Sequence, residues 1–210
     1  ARAMKLSRAG VELILSARSG ERLRELAEEL PGRAHVVPMD IADRASVEAA
    51  AQEVGEIDGL VFLAGVATLI KATEWDADRV EQMFDVNLTG AARVIGQVIG
   101  GMVARDAGHI MMIGSLSAYR GLPGSIGYSA SKAGLMALAE SMHGDLRHTS
   151  VLVQLSNPGY IQTRMQDDNP YSKPFIMSPE EAAQQVFDQM NTDRFHKAFP
   201  LGFSLLFRFS

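Results

Sequence analysis

A tyrosine and a lysine four residues apart carry the clearest chemical signal in this sequence. Tyr128 and Lys132 would be surface neighbours if their segment is helical. Free tyrosine has a pKa of about 10, and a cation within about 4–6 Å favours the phenolate and lowers that pKa. The pair therefore predicts a proton donor and acceptor that works near neutral pH. On its own, this spacing is more often part of a solvated helix edge.

Two polar residues upstream could act with this pair. Ser115 lies thirteen residues before Tyr128 and follows the apolar run His109 to Ile113, which predicts a buried parallel strand. Ligands of open α/β sheets bind at the carboxyl ends of strands, although serine is also a common turn residue. Asn87 lies in an otherwise helical stretch, where its amide could bend the helix and free a carbonyl for water.

Two further strand ends could approach a ligand. The run Leu60 to Gly65 predicts a buried strand that ends in small residues, which would let a flat molecule approach the backbone. After the apolar run Val151 to Leu155, the segment Asn157 to Thr163 contains a Pro-Gly turn. Such a turn would leave backbone groups and a threonine hydroxyl available to bind a ligand. An ordinary strand-to-loop turn explains the same residues equally well.

Together these motifs resemble those of the short-chain dehydrogenase/reductase family, classical type, in order and spacing over essentially the whole chain. The resemblance rests on Tyr-x-x-x-Lys, the serine thirteen residues before it, the helical asparagine, and the Pro-Gly turn followed by threonine. It implies an α/β fold, a Rossmann-like doubly wound parallel sheet in one domain over residues 1–210. It also implies an NADP(H)-dependent oxidoreductase that interconverts a carbonyl and a secondary alcohol by hydride transfer.

The resemblance assigns a role to each catalytic residue. Tyr128 exchanges a proton with the substrate oxygen, and Ser115 stabilises that oxygen as charge develops. Lys132 lowers the pKa of the tyrosine and binds the nicotinamide ribose, while Asn87 holds a water that leads to solvent. Tyr119 has no lysine four residues later and is rejected as the catalytic tyrosine.

The expected cofactor site also comes from strand ends. Arg18 follows the second strand of the family fold, where an acidic residue would bind a ribose 2′-hydroxyl and an arginine a 2′-phosphate, so NADP(H) is favoured over NAD(H). The alternative is that Arg18 is an ordinary surface residue. By resemblance, Asp40 meets the adenine edge, Ile41 packs on its ring, and Ile161 and Thr163 fix the nicotinamide. The full expected set is Arg18, Asp40, Ile41, Ala64, Gly65, Tyr128, Lys132, Pro158, Gly159, Ile161 and Thr163.

Two features depart from the family pattern. Leu63 replaces the usual asparagine of Asn-Ala-Gly, a change expected to affect local stability more than chemistry. The Gly-rich turn Thr-Gly-x-x-x-Gly-x-Gly, whose backbone would cradle a pyrophosphate, does not occur. Ala1 to Gly10 instead predicts a first helix with a glycine at its end. We expect residues to be missing before Ala1, with the C-terminal segment also cut short. As it stands, the chain should bind a dinucleotide poorly.

The composition narrows the possible partners. A net charge of −5 and a pI near 5.5 argue against nucleic acid. The absence of cysteine excludes disulfides and thiolate chemistry, and the five histidines show no metal-ligand spacing. No uncharged run reaches the ~20 residues of a membrane span. We expect a cytoplasmic protein without a metal.

Apolar runs alternate with helical stretches along the chain, which implies a parallel sheet with right-handed crossovers. Strands are predicted at 11–16, 34–38, 60–64, 109–113 and 151–155. Helices are predicted at 21–30, 44–54, 76–84, 88–106, 126–148 and 179–190.

The sequence says less about the substrate-binding side of the site. Ser117, Leu116 and Tyr160 are expected to line it, and residues 166–177 to form a lid whose prolines and aromatics favour a moderately apolar substrate. The apolar segment 198–208 is expected to pack on the body or on a sister subunit, with an interfacial lipid contact as the alternative. Glycines in the predicted helix 88–106 favour close packing against a second copy. A homodimer or homotetramer is therefore expected.

Two other functions remain open at this point. A non-catalytic dinucleotide-binding sensor or scaffold could use the same fold, although it would not need all four catalytic residues. An epimerase or dehydratase could share the Tyr-Lys pair, although those relatives usually carry a larger C-terminal substrate domain.

Overall fold

The computed structural model describes residues 1–163, 165 and 171–209, except for the side chains of 208 and 209. Helices and strands alternate along the chain. The strands are β1 (Leu13–Leu15), β2 (Ala34–Val36), β3 (Gly59–Phe62), β4 (Gly108–Ile113), β5 (Val151–Pro158) and β6 (His196–Phe199). The helices are α1 (Arg2–Arg8), α2 (Gly20–Glu29), α3 (Arg44–Val54), α4 (Ala77–Phe84), α5 (Gly90–Ala104), α6 (Ile126–Leu146), α7 (Pro179–Met190) and α8 (Leu201–Phe209).

The strands form two parallel sheets. β1 pairs with β2, and the larger sheet has the order β3-β4-β5-β6. In that sheet Phe62 pairs with Met112, and Met112 pairs with Leu155, so the carboxyl ends of the strands meet at one edge. In the part of the chain that the structure describes, no strand joins β1 to β3. The prediction of a parallel α/β fold is confirmed.

Residues of β4 alternate between two hydrophobic clusters on opposite faces of the larger sheet. Ile110 and Met112 pack in a cluster with residues of α5, α6 and β5. Met111 and Ile113 face the other way, into a cluster with residues of α7 and β6. Because apolar side chains are buried on both faces, β4 is a continuous apolar run. The doubly wound arrangement follows from these two clusters.

Capping residues that can be recognised in the sequence mark several helix ends. Ser178 is the N-cap of helix α7. Its Oγ accepts the Glu181 N–H at 3.1 Å, and the Glu181 carboxylate accepts the Ser178 N–H at 2.8 Å. Helix α1 is followed by Gly10 with a φ of 85°, a conformation that glycine adopts without strain. Both ends agree with the prediction.

Long-range pairing accounts for the largest differences from the predicted elements. Strand β5 runs through Pro158 because β6 pairs beside it, with Asn157 opposite Ala198 and Pro158 opposite Phe199. Helix α8 packs on the body through its buried Phe203 and leaves Leu201 and Leu206 exposed. Of the expected lid 166–177, residues 166–170 lie outside the described part. None of the described helices is long and apolar enough to cross a bilayer.

Candidate active site

Ser115 lies directly beyond the carboxyl end of β4. Its side chain is buried, and its Oγ accepts the Ser117 N–H at 3.2 Å, which caps a short 3-10 turn, Leu116–Ala118. Its own N–H donates to Asn157 Oδ1 at 3.0 Å. The serine is thus held by a strand on one side and a turn on the other.

Tyr128 and Lys132 lie in the first two turns of α6, on the side that faces Ser115. Lys132 Nζ is 5.9 Å from the centre of the Tyr128 ring. The same ammonium donates to the carbonyl oxygen of Ile113 at 2.9 Å, just before the Gly-Ser end of β4. The expected convergence of serine, tyrosine and lysine is therefore present.

The pKa of Tyr128 departs from the expectation. Burial raises it, and the nearby Ser115 hydroxyl opposes part of that rise. The prediction that Lys132 lowers the tyrosine pKa is wrong for this structure, because burial dominates and the ammonium is directed at the Ile113 carbonyl. Tyr128 is accordingly a neutral phenol at pH 7.

Lys132 has a depressed pKa of its own. The side chain is only 4% exposed, and burial lowers its pKa to about 8, with the positive charge of Arg2 acting in the same direction. Burial also lowers the pKa of Arg2 to about 10. A lysine with this pKa can exchange protons close to neutral pH.

Asn87 is fully buried within a short π-helical segment, Asp85–Thr89, between α4 and α5. Its Oδ1 accepts the Val66 N–H at 2.8 Å, and its Nδ2 donates to Val66 O and Ser131 Oγ, each at 2.9 Å. The amide therefore clamps the loop after β3 to helix α6. The expected helix distortion is present. That Asn87 holds a water stays a prediction, in which the water would bind to the Asn87 backbone carbonyl.

The end of β3 approaches this clamp closely. A Cβ added at Gly65 would lie 3.4 Å from both Asn87 Oδ1 and Lys132 Nζ, so the glycine keeps the path to the lysine open. Ala64 is half-buried against the core. Leu63 is 51% exposed, and we have no structural explanation for an apolar side chain there.

The turn after β5 borders the site from the other side. Pro158 ends the strand, and the Gly159 N–H donates to Phe199 O at 2.8 Å. Ile161 packs into the cluster around Met111 and Ile113. Thr163 is exposed, and its hydroxyl donates to Ile161 O at 3.4 Å. This hydrogen bond does not hold the hydroxyl toward the site.

The expected nucleotide end lies on the smaller sheet. Arg18 is exposed beyond the carboxyl end of β1. Asp40 is half-buried after β2, with its Oδ1 accepting the Ala42 N–H at 3.0 Å and its N–H donating to Ser46 Oγ at 3.0 Å. Ile41 covers the start of α5, where a Cβ added at Gly90 would meet it at 3.1 Å.

These residues fit the two ends of a dinucleotide. Gly65 has no side chain to fill the space beside Lys132, and the Arg18 side chain is exposed beyond the carboxyl end of β1. Within residues 1–163 no glycine-rich turn precedes a helix, so the residues assigned here would hold the ends of the molecule and not its pyrophosphate.

Three other residues considered from the sequence are Tyr119, Leu116 and Tyr160. The Tyr119 hydroxyl lies 2.7 Å from His196 Nε2. Leu116 lies near Gly159 and Phe203 at the substrate side, and the Tyr160 ring is 5.9 Å from that of Phe203.

Several site residues were missed from the sequence. Asn157 holds the Ser115 backbone, Ser131 holds Asn87, and Arg2 lies close enough to influence Lys132. Only Asn157 carried a local signal, since it directly precedes the Pro-Gly turn. The other two contacts join distant parts of the chain.

Comparison with known proteins identifies the family. A family model described as short chain dehydrogenase matches residues 1–173. An uncharacterized oxidoreductase of Myxococcus xanthus is 33% identical over 189 residues, covering 87% of this chain and 75% of the relative. The 3-oxoacyl-[acyl-carrier-protein] reductase FabG of Aquifex aeolicus is 30% identical over 206 residues, covering 92% and 77%.

A solved structure supports the same relationship. An actinorhodin polyketide ketoreductase variant, crystallised with NADPH, has a TM-score of 0.84 and 25% identity, covering 97% of this chain and 91% of that one. The chain therefore belongs to the short-chain dehydrogenase/reductase family of oxidoreductases.

Proposed function

We propose that this protein is an NADP(H)-dependent oxidoreductase that interconverts a carbonyl group and a secondary alcohol. The observation that carries the proposal is the convergence of Ser115, Tyr128 and Lys132 beside the carboxyl end of β4. Such a group of a hydroxyl, a phenol and an ammonium suits proton exchange with a substrate oxygen. We assign the four catalytic roles to these residues and Asn87.

The proton chemistry follows from the observed environments. Because its pKa is raised, Tyr128 is protonated at pH 7 and can give its phenolic proton to a carbonyl oxygen. Ser115 stabilises the negative charge that develops on that oxygen. Lys132, with a pKa of about 8, then returns a proton to the tyrosine. The bound nicotinamide supplies the hydride in reduction and accepts it in oxidation.

The choice of NADP(H) rests on Arg18. No acidic side chain occupies the end of β1, from Leu15 to Ser19, to bind a ribose 2′-hydroxyl. A guanidinium can bind a phosphate through two parallel hydrogen bonds. The ketoreductase structure with NADPH supports the same choice by similarity.

We also propose a cytoplasmic homodimer or homotetramer that takes a small-molecule substrate. Gly96 and Gly100 are exposed on α5, and Val103 beside them is exposed as well. Small residues on a helix face allow a second helix to approach closely, and this face is the proposed contact between copies.

Isotope transfer tests the proposal. Purified full-length protein would be mixed with acetoacetyl-coenzyme A, a 3-oxoacyl thioester, and with NADPH that carries deuterium at the transferable position of C4. We expect one deuterium at the new carbinol carbon, measured by mass spectrometry. We also expect faster turnover with NADPH than with NADH.

A panel of simple ketones and aldehydes extends the test beyond one substrate. Reduction without deuterium transfer would contradict direct hydride transfer. Binding of NADPH with no turnover of any carbonyl would instead favour a dinucleotide sensor that uses the fold without catalysis.

A further inference from the structure

Asn157 connects the proposed catalytic serine to the edge of the sheet. Its side chain is fully buried, and one of its side-chain atoms lies 3.0 Å from the backbone nitrogen of Ser115. A backbone N–H can only donate, so this atom must be the amide oxygen Oδ1. The orientation of the amide is therefore determined by Ser115.

The other end of the amide reaches His196 on β6. With Oδ1 turned toward Ser115, Nδ2 points to His196 Nε2 at 3.2 Å. Nδ2 can only donate, so Nε2 must accept, which requires an imidazole without a proton on that nitrogen. The Tyr119 hydroxyl lies 2.7 Å from the same nitrogen and can donate to it. Nε2 has one lone pair, so the Tyr119 hydroxyl and Asn157 Nδ2 share it as donors, and Nδ2 also contacts Met136 Sδ at 3.4 Å.

This network lies directly against the backbone that carries Ser115. A Cβ added at Gly114 would overlap Asn157 Oδ1, so the amide fills the space a side chain would take. The strands add to the constraint, because Asn157 pairs with Ala198 and the Gly114 N–H donates to Ser156 O at 2.8 Å. A shift of the amide would therefore move Ser115.

We propose that Asn157 and His196 are positioning residues that hold the Ser115 hydroxyl in line with Tyr128. Neither is assigned a contact with substrate or cofactor, and both act through the Ser115 backbone. This inference rests on the proposed function, since it needs Ser115 to act on the substrate oxygen. It adds a residue from β6, 39 positions after Asn157 in the sequence, to the determinants of activity.

Three variants of the full-length protein test the inference. His196→Ala removes the nitrogen acceptor for Asn157 Nδ2 and leaves it the weaker contact with Met136 Sδ at 3.4 Å, whereas His196→Gln supplies an amide oxygen that can accept the lost bond. His109→Ala is the matched control: His109 Nε2 lies 2.8 Å from Gln154 Oε1, a similar imidazole–amide pair at the opposite end of β4. The readouts are kcat with acetoacetyl-coenzyme A, the Kd for NADPH, and the thermal midpoint.

We expect His196→Ala to lower kcat by about 10- to 100-fold, since a displacement of about 1 Å at a catalytic group costs up to about 100-fold. The Kd for NADPH should change by less than about threefold, because Tyr119, His196 and Asn157 are not themselves assigned to the cofactor. His196→Gln should restore kcat to within about threefold of the wild type, and His109→Ala should stay within about twofold.

Wild-type kcat in His196→Ala would overturn the inference, as would an equal loss of kcat in His109→Ala. If His196→Ala does not fold, Asn157→Asp and Asn157→Ala decide. The aspartate keeps an acceptor for the Ser115 N–H and should be at least about tenfold more active than the alanine. Equal activities of those two variants would contradict the positioning role.

Tyr128→Phe separates this inference from the proposed function. A Tyr128→Phe variant as active as the wild type would refute the proposed function itself. An inactive Tyr128→Phe beside a fully active His196→Ala would refute only the positioning role.

Discussion

The two ends of the expected dinucleotide site differ sharply in how their side chains are held. At the catalytic end, Asn87, Asn157 and Lys132 are buried and hydrogen-bonded to the backbone or side chains of other elements. At the nucleotide end, Arg18 is exposed and Asp40 bonds only within its own turn and to the start of α3. Rigid, desolvated groups suit chemistry, and surface side chains suit selection between similar nucleotides. Variants at the two ends should therefore separate stability and turnover from cofactor preference.

The largest effect should come from breaking the clamp at the catalytic end. Asn87→Ala would leave the Val66 N–H and C=O without their partner and remove one hydrogen bond from the Ser131 hydroxyl, which still donates to Tyr128 O. We expect the free energy of unfolding to fall by about 2–4 kcal/mol, since each unpaired buried polar group costs about 1–3 kcal/mol. Urea unfolding followed by circular dichroism measures it.

The matched control lies at the nucleotide end. Ser46→Ala removes one half-buried hydrogen bond to the Asp40 N–H. It should lower the free energy of unfolding by about 1 kcal/mol or less. Equal losses in the two variants would mean that the catalytic end is no more tightly held than the nucleotide end.

The depressed pKa of Lys132 gives the catalytic end a pH signature. Below about pH 8 the folded and unfolded chains both hold the lysine proton, and the cost of burying the charge is fully present. Between about pH 8 and pH 10 the folded chain has released this proton and the unfolded chain still binds it. The free energy of unfolding should therefore rise, by up to about 1.4 kcal/mol per pH unit.

Lys132→Met provides the comparison for this measurement. Urea titrations at pH 7.5, 8.5 and 9.5 should show the rise in the wild type and lack it in the variant. Above about pH 10 the raised pKa of Tyr128 acts with the opposite sign, because the unfolded tyrosine loses its proton first. A wild-type slope that matches Lys132→Met would contradict the assigned lysine environment.

A change in cofactor preference without a change in stability is expected at the nucleotide end. Arg18→Ala should weaken NADPH binding by about tenfold, or about 1.4 kcal/mol, and leave NADH binding and the free energy of unfolding unchanged. Fluorescence titration with the two cofactors measures the change in preference. Parallel weakening of both cofactors would show that the arginine does not recognise the 2′-phosphate.

Local patterns predicted much of the fold and the convergence of three candidate site residues. The capping signal at Ser178 and the apolar runs that alternate with helical stretches placed α7 and most strands within a few residues. Ser115, Tyr128 and Lys132 were predictable because each lies at a strand end or on one helix face, where periodicity determines direction.

The electrostatics and the supporting contacts could not be predicted from local sequence. The Tyr128 pKa is raised by removal of the phenol from water, and the lysine four residues later directs its ammonium at Ile113 O. The extension of β5 to Pro158 requires β6, and the Asn157–His196 contact requires the same pairing. Such features depend on residues far apart in the chain, where spacing carries no information.

Tyr128→Phe is the most decisive single variant, because it removes one oxygen and leaves the ring that packs against the cluster of Ile70, Val80 and Met83. Both kcat with acetoacetyl-coenzyme A and the Kd for NADPH would be measured on wild type and variant. We expect kcat to fall by at least about 100-fold, the usual contribution of a general acid, with the Kd within about threefold. A kcat within about threefold of the wild type would contradict the role of Tyr128 as the proton donor.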